Sequence, residues 1–266
     1  MTRDLMHGEE IREIVRNAYR HVPPTTAVVA DRLYDEDQLA LVPRVARDRA
    51  LGVANHLRHA DLRAGDVVLD LGCGGGIDTV LAGHAVGPQG RVVALDFLPE
   101  MLERTRVAAE AADLANVVPT RGELEAIPLP DDSVDVVISN GVVNLSARKA
   151  RAMAEAARVL RRGGRFCVSD LTVEQEGLPP EILTQPAAWA GCVAGALSEE
   201  DFVAKLARAG FREIHVLERR PLSIDDCALY PLFPPEVIDL MRRMLPPERH
   251  PSVAVAAVVS AVAPGG

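Results

Sequence analysis

The sequence is short of aromatic residues, cysteines, long apolar runs and basic charge, and each shortage excludes a class of protein. The 266 residues carry a formal net charge of −9, which repels a phosphate backbone, so no nucleic acid partner is expected. No apolar run reaches the roughly 20 residues that a membrane span requires, and the N-terminus is too charged for a signal peptide. We therefore expect a cytoplasmic protein without membrane contact, either a monomer or a homodimer.

The cysteines are few and stand far apart. None belongs to a CxxC pair or adjoins a histidine cluster, so the sequence predicts neither a disulfide framework nor a metal site. Aromatic residues make up 3% of the chain, which is too few to predict an aromatic cage around a cationic ligand. The four cysteines are Cys73, Cys167, Cys192 and Cys227.

The apolar pattern divides the chain into three segments. Residues 8–20 repeat apolar side chains at helical spacing, and we expect a helical cap over residues 1–34. Residues 35–172 alternate short apolar strands with helices, which predicts a mostly parallel sheet with helices on both faces, the Rossmann-like α/β architecture. Residues 173–266 hold a helix at 201–212 and two late strands, an α+β region that completes the sheet.

A glycine-rich loop, VLDLGCGGG at residues 68–76, follows the first predicted strand and opens a helix. Open α/β sheets bind ligands at this position, and glycines let backbone N–H groups approach them. A dinucleotide-binding loop would have glycine where this chain has Ile77, so a nicotinamide-dependent oxidoreductase is disfavoured. Asp70 would oppose a pyrophosphate but suits an ammonium and a sulfonium, as in the methionine part of S-adenosylmethionine. The loop glycines predicted to contact this cofactor are Gly72, Gly74 and Gly76.

Further side chains at strand ends complete the predicted cofactor site. Asp96 ends the second strand, where a carboxylate can accept hydrogen bonds from both ribose hydroxyls. Glu123, after the third strand, can accept a hydrogen bond from the adenine amine, and Phe97 and Met101 can flank the adenine ring. The remaining predicted cofactor contacts are Asp78, Leu124 and Asn140.

Several stretches carry a resemblance to a known class of enzymes. VLDLGCGGG, ALDFLPEML, RGELEAIPLPDDSVDVVISN and RVLRRGGRFCVSD resemble the class I S-adenosylmethionine-dependent methyltransferases. Within that class, GPQGRVVALDFLPEML, SVDVVISNGVVNLS and GCVAGALSEEDFVAKLARAGF are most similar to the arsenite methyltransferase family. The resemblance implies the class I methyltransferase fold, S-adenosylmethionine as cofactor, and a small-molecule methyl acceptor bound by the C-terminal region.

The chain departs from the arsenite methyltransferases at their cysteines. In that family thiolates hold arsenic(III), because a soft centre prefers sulfur donors. Cys192 matches one of these thiols, but Val53, Thr79 and Gly141 stand where the resemblance implies others. One thiol cannot supply a cage of two or three sulfurs, so we expect methyl transfer to a small organic molecule, with arsenite as the alternative.

The predicted chemistry is an in-line displacement, in which alignment and a dry pocket supply much of the catalysis. Asn140, Asn144 and Asp170 follow the fourth and fifth strands and are the candidate catalytic residues, together with Cys192. Tyr19, Trp189 and Cys192 are predicted to line the acceptor pocket, and His56 and His59 are a candidate pair of bases. A protein that binds S-adenosylmethionine without transferring its methyl group, or a pericyclase-type enzyme, remains a second alternative.

Overall fold

A seven-stranded sheet in the order β3-β2-β1-β4-β5-β7-β6 forms the centre of the protein. The computed structural model describes residues 8–25, 27–174 and 178–265, so residues 1–7 of the predicted cap lie outside the described residues. The strands are β1 (Val67–Leu71), β2 (Arg91–Asp96), β3 (Val117–Arg121), β4 (Val134–Asn140), β5 (Leu160–Thr172), β6 (Arg212–Leu222) and β7 (Ala254–Val262).

The first five strands are parallel, and the last two are antiparallel to their neighbours. Parallel strands need crossover connections, and the helices between them provide these. Consecutive side chains of β1 pack into two different apolar clusters: Val68 lies with Val80 of one helix and Leu69 with Phe202 of another. Both faces of the sheet are therefore covered, and the predicted mostly parallel α/β fold is confirmed.

Twelve helices are assigned among the described residues. They are α1 (Gly8–Arg20), α2 (Val28–Leu33), α3 (Glu36–Leu41), α4 (Arg44–Arg47), α5 (Ile77–Val86), α6 (Pro99–Ala111), α7 (Lys149–Val159), α8 (Pro180–Leu183), α9 (Pro186–Ala190), α10 (Glu199–Arg208), α11 (Ile224–Cys227) and α12 (Pro235–Met244). Short 3-10 turns span His56–Arg58, Val143–Leu145 and Pro247–Arg249. None of the described helices is long and apolar enough to cross a membrane.

The helix predicted over 201–212 is displaced towards the N-terminus in the structure. It begins at Glu199, because the Ser198 hydroxyl caps it by accepting a hydrogen bond from the backbone N–H of Asp201. It ends before Gly210, whose φ of +93° breaks the helical path, and β6 then starts at Arg212. The C-terminal segment thus adds two antiparallel strands to the sheet and sends several short helices over its carboxyl edge.

Candidate functional site

Three clefts meet at the carboxyl edge of the sheet, and Tyr19 of α1 lines all of them. The outer cleft has a volume of about 740 Å³ and lies between α1 and the ends of β2 and β3. The loop cleft, of about 560 Å³, lies over the glycine-rich loop after β1. The aromatic cavity, of about 310 Å³, lies between the end of β4 and the C-terminal segment.

The outer cleft contains five of the residues predicted to contact the cofactor, together with Gly72 and Gly74 of the glycine loop. The five are Asp96, Phe97, Met101, Glu123 and Leu124. Arg12, Val15 and Tyr19 of α1 complete its wall. The predicted N-terminal helix therefore covers the cleft that the strand ends form.

Asp96 is held in place by the backbone of the glycine loop and of its own turn. Its carboxylate accepts hydrogen bonds from the N–H groups of Gly74, at 3.2 Å, and Leu98, at 3.0 Å. Burial raises the pKa of Asp96 to about 6, although these hydrogen bonds lower it. Glu123 is placed differently, because its half-exposed carboxylate pairs with Arg12 at 3.2 Å. An adenine amine bound there would have to share Glu123 with Arg12.

Asp70 is the most strongly perturbed carboxyl group of the loop cleft. It is 2% exposed, and the Thr79 hydroxyl donates a hydrogen bond to it at 2.5 Å. Burial, and then the neighbouring Asp78, raise the pKa of Asp70 to about 8. A carboxyl group in this state gains most from a ligand that brings a positive charge.

Asn140 and Asp78 fasten the loop before β1 to the sheet. The Asn140 side chain accepts a hydrogen bond from the N–H of Val53 at 2.8 Å and donates to the carbonyl of Ala54 at 2.9 Å. It also donates to Asp78 at 3.1 Å, and Tyr34 donates to the same carboxylate at 2.7 Å. Both predicted residues line the loop cleft, and their hydrogen bonds to the protein give them a positioning role.

Gly76 lines none of the three clefts. A Cβ atom on Gly76 would lie 3.0 Å from the Cα atom of Thr105 in α6, and its φ of +87° is in the left-handed region. Its glycine therefore allows α5 and α6 to approach each other, whereas Gly72 and Gly74 line two clefts.

Two arginines in the loop cleft are absent from the sequence-based site. Arg49 and Arg104 both line it, and no ion pair within 4 Å joins either to a carboxylate among the described residues. The positive charge of Arg49 contributes to lowering the pKa of Arg104, with desolvation the larger cause. Two guanidinium groups in the same cleft as Asp70 could bind a carboxylate whose molecule also carries an ammonium, as in an amino acid. No motif surrounds either arginine, so the sequence offered no signal.

The aromatic cavity brings together Tyr19, Tyr230 and Phe233, which are two of the three tyrosines and one of the five phenylalanines of the chain. The low aromatic content was therefore a poor guide to this site, because the fold concentrates these residues from both ends of the sequence. Apolar side chains form most of the remaining wall, and Cys192 adds a thiol. The other lining residues are Leu51, Val53, Gly141, Leu171, Ala190, Gly191, Leu222 and Leu232.

Cys192 is the predicted acceptor-pocket cysteine, and it lines this cavity in a strained conformation. Its φ of +61° lies in the left-handed region that favours glycine. The thiol donates a hydrogen bond to the carbonyl of Gly141 at 3.0 Å, and burial raises its pKa well above the ordinary value. The thiol is therefore protonated at neutral pH.

The other three cysteines line no wall of the aromatic cavity. Cys73 accepts a hydrogen bond from Thr105, Cys167 donates to the carbonyl of His56, and Cys227 is buried in α11. Among residues 8–25, 27–174 and 178–265, no three or more histidine, cysteine, aspartate or glutamate side chains are grouped to hold a metal ion. A multi-thiol cage is therefore not assembled in this part of the chain.

Asn144 and Asp170, two of the candidate catalytic residues, lie behind the cavities and bind each other. The Asn144 amide donates to Asp170 at 2.8 Å and to the carbonyl of Leu171 at 2.6 Å, and it accepts from the N–H of Leu197 at 3.3 Å. Burial raises the pKa of Asp170 to about 6. Neither residue lines any of the three clefts. These contacts fix the chain after β4 against β5, and a catalytic role remains a prediction.

Trp189 and the two candidate histidine bases also lie outside the three clefts. The Trp189 ring packs near Gly195, with the Lys149 ammonium 5.8 Å from the ring centroid. His56 is fully buried, which lowers its pKa, and His59 contacts Glu218 at 2.6 Å. The structure therefore places none of the three at the aromatic cavity wall.

A family model described as a methyltransferase domain matches residues 62–210, which is more than half of the chain. The chain belongs to the methyltransferase domain family. The matched residues include β1 to β5 and the glycine loop, so they contain most of the outer and loop clefts. The resemblance to class I methyltransferases, inferred from the sequence, is confirmed.

Relatives of this chain include proteins named as arsenite methyltransferases. It is 42% identical over 193 residues to the arsenite methyltransferase of Halobacterium salinarum, covering 72% of this chain and 49% of the relative. It is 36% identical over 169 residues to that of Aquipseudomonas alcaligenes, covering 61% and 49%. The chain thus spans about half the length of the curated relatives it matches.

Solved structures also match most of this chain. Among them, an arsenic(III) S-adenosylmethionine methyltransferase from Chlamydomonas reinhardtii superposes with a TM-score of 0.67 at 31% identity. The match covers 91% of this chain and 74% of that one.

Proposed function

We propose that this chain is an S-adenosylmethionine-dependent methyltransferase that methylates a small organic molecule. The observation that carries the proposal is the placement of two buried carboxyl groups, Asp70 and Asp96, at successive strand ends beside a glycine loop. The family and the relatives support the cofactor, and the wall of the aromatic cavity supports an organic acceptor.

The residues of the two polar clefts fit the parts of S-adenosylmethionine. In the outer cleft, Asp96 would accept hydrogen bonds from the ribose hydroxyls, and Phe97 and Met101 would flank the adenine ring. In the loop cleft, Asp70 would bind the ammonium, and Arg49 and Arg104 would bind the carboxylate. When bound, S-adenosylmethionine supplies an electrophilic methyl group on a positively charged sulfur.

The chain's own contribution is to bind, orient and exclude water. Tyr19 lines both polar clefts and the aromatic cavity, so a molecule in the cavity lies next to the bound cofactor. No carboxylate, histidine, lysine or arginine lines the cavity. Transfer would therefore depend on alignment in an apolar site more than on a general base.

Arsenite is the second candidate acceptor. The named activity of the relatives favours it, and Cys192 places one thiol in the cavity. Against it stand Val53 and Gly141, which line the same cavity without a sulfur atom. Arsenic(III) bound here would need further sulfur ligands from small thiols in solution.

Two assays on one preparation of the protein distinguish an organic acceptor from arsenite. Calorimetric titration with S-adenosylmethionine tests cofactor binding, and release of S-adenosylhomocysteine with arsenite and glutathione tests the acceptor. Binding without arsenic methylation supports an organic acceptor. Arsenic methylation that is lost in Cys192→Ala but retained in Cys227→Ala supports arsenite and overturns our first choice. A chain that binds the cofactor but releases no S-adenosylhomocysteine with any acceptor would be a binding protein or a pericyclase-type enzyme.

The proposal also gives each of the three segments of the chain a role. Residues 1–34 would act as the cap, residues 35–172 as the cofactor-binding core, and residues 173–266 as the acceptor-binding region. Tyr19 in the first segment and Cys192, Tyr230 and Phe233 in the third support this division. We also propose a cytoplasmic monomer or homodimer without a nucleic acid partner, which light scattering and a nucleic acid binding assay would test.

A further inference from the structure

The aromatic cavity, proposed above as the acceptor site, offers a chemistry that composition did not predict. Tyr19, Tyr230 and Phe233 line a site whose other side chains are apolar, apart from the Cys192 thiol. Aromatic faces carry negative electrostatic potential and attract cations when water is excluded. The cavity therefore suits positive charge without offering a carboxylate that would form an ion pair with it.

Each polar side chain in the cavity wall already donates a hydrogen bond to a backbone carbonyl of the protein. Tyr19 donates to the carbonyl of Ala190 at 3.0 Å and Tyr230 to the carbonyl of Gly52 at 2.9 Å. The Cys192 thiol donates to the carbonyl of Gly141 at 3.0 Å. None of these three groups therefore has a hydrogen atom left to donate to an anion.

The charges around the cavity include both signs. Asp170 and Asp96 contribute to raising the pKa of Tyr19 well above its ordinary value, with burial the largest cause, so the phenol is neutral. Arg220 acts on Tyr230 from outside the cavity, where Asp226 opposes its charge. Lys149 acts on Cys192 but lies over Trp189. No charged group lines the cavity itself, so a ligand there meets three aromatic side chains, aliphatic side chains and one thiol.

The absence of a base in the cavity restricts the acceptor further. A phenol or alcohol attacks a methyl group efficiently only after losing a proton, and no carboxylate or imidazole lines this site to take it. A carboxylic acid is already ionised at neutral pH, but the cavity wall offers its anion neither a cation nor a free hydrogen-bond donor. A weakly basic tertiary amine carries its lone pair at neutral pH and needs no deprotonation.

We propose that the aromatic cavity takes a small, uncharged, apolar tertiary amine, such as a nitrogen heteroaromatic ring, and methylates its nitrogen. This rests on the proposed function. The amine lone pair forms the new nitrogen–carbon bond while the sulfur–carbon bond breaks and its electron pair stays on sulfur. The positive charge passes from the sulfonium to the quaternary nitrogen, no proton is transferred, and the aromatic faces stabilise the charge at its new position.

Binding of three ring compounds of similar size tests the proposal. The probes are N-methylpyridinium as the cationic product, toluene as its uncharged isostere and benzoate as an anion, each titrated into the full chain saturated with S-adenosylhomocysteine. We expect N-methylpyridinium to bind about tenfold more tightly than toluene, and benzoate most weakly. Equal or tighter binding of toluene or benzoate would overturn the proposal.

A matched pair of variants locates the effect in the cavity. Tyr230→Phe keeps the aromatic face and should retain the preference for N-methylpyridinium over toluene. Tyr230→Leu removes the face and should reduce that preference at least threefold. The affinity for S-adenosylhomocysteine, measured first, reports whether each variant is folded, and Phe233→Leu repeats the test if Tyr230→Leu is not. A preference that survives in the folded leucine variant would overturn the proposal.

Turnover gives a second readout. Pyridine should release S-adenosylhomocysteine faster than phenol, which would need a base, and the reverse order would overturn the proposal. Failure of the proposed function looks different, because the chain would then bind neither S-adenosylmethionine nor S-adenosylhomocysteine. Intact cofactor binding without a cation preference contradicts the amine proposal alone.

Discussion

The polar clefts and the aromatic cavity meet at Tyr19 but are built in opposite ways. The polar clefts take their carboxyl groups from strand ends, each within or next to a short motif. The cavity takes its wall from α1, the loop before β1, the end of β4 and the C-terminal segment. A site built from strand ends is fixed by the sheet, whereas a site built from connecting segments can change without altering the fold. The comparison explains why the cofactor is easier to infer than the acceptor.

The largest expected effect is at Asp70, because a buried carboxylate that binds an ammonium cannot be replaced by a neutral group. Asp70→Asn should weaken S-adenosylmethionine binding by about 3 kcal/mol, roughly a hundredfold in Kd. Calorimetric titration measures this. Asp113→Asn is the matched control, since Asp113 is exposed and asparagine also tolerates its φ of +55°. Equal Kd values for the two variants would mean that Asp70 does not face the cofactor.

The pH dependence of S-adenosylmethionine binding tests the role of Asp70 in the loop cleft further. Burial raises the pKa of Asp70 to about 8 from an ordinary 3.8, so below pH 8 the cofactor must displace a proton to meet a carboxylate. The Kd for S-adenosylmethionine should therefore fall roughly tenfold between pH 6 and pH 7. Asp70→Asn should show a shallower dependence, and an equally steep one would assign the proton to another group.

In the chain without cofactor, burial of the Asp70 carboxyl group should lower the free energy of unfolding at high pH. Because the folded-state pKa is raised, Asp70 stabilises the fold fully only below pH 3.8, and this contribution is lost as the pH rises through about 8. Asp70→Asn should then stabilise the chain without cofactor by about 1 kcal/mol or more at pH 8. Thermal unfolding at pH 5 and pH 8 measures the change, and a variant less stable than the parent at pH 8 would contradict the assignment.

A smaller effect on cofactor binding is expected at Asp96, because its hydrogen bonds to the ribose replace hydrogen bonds to water. Asp96→Ala should weaken cofactor binding by roughly 1 to 3 kcal/mol. Part of that loss comes from the N–H groups of Gly74 and Leu98, which lose their acceptor. Affinity equal to that of the parent chain would remove Asp96 from the site.

The smallest effect on the cofactor is expected in the aromatic cavity. Cys192 contacts the carbonyl of Gly141 and lines neither polar cleft, so Cys192→Ala should leave the Kd for S-adenosylmethionine within about twofold. The same variant should retain transfer to an organic acceptor. A loss of cofactor binding comparable to that of Asp96→Ala would show that the two regions are not independent.

The sequence predicted more of the polar clefts than of the aromatic cavity. The structure places Asp70, Asp96, Gly72 and Gly74 in the walls of the polar clefts, because a parallel sheet brings consecutive strand ends to one edge. Their contacts with the cofactor stay a prediction. Asn144 follows β4, where the direction of a side chain depends on the turn. Asp170, predicted to follow the fifth strand, lies inside β5, because that strand extends to Thr172 in its pairing with β7. Their amide and carboxylate bind each other, which no spacing in the sequence indicates.

The aromatic cavity shows what the sequence could not provide. Tyr19 and Tyr230 are separated by most of the chain, and only the antiparallel return of β6 and β7 brings the C-terminal segment back over β4. Composition averages over the whole chain, so a local concentration of three aromatic rings is invisible to it. Arg49 was missed for a related reason, since it lies in a loop without periodicity.

The most direct test of this account is calorimetric titration of the chain with S-adenosylmethionine and, separately, with a nicotinamide dinucleotide. The account predicts one S-adenosylmethionine bound per chain and no detectable binding of the dinucleotide, because Asp70 opposes a pyrophosphate. Binding of the dinucleotide without S-adenosylmethionine would contradict the assignment of both polar clefts.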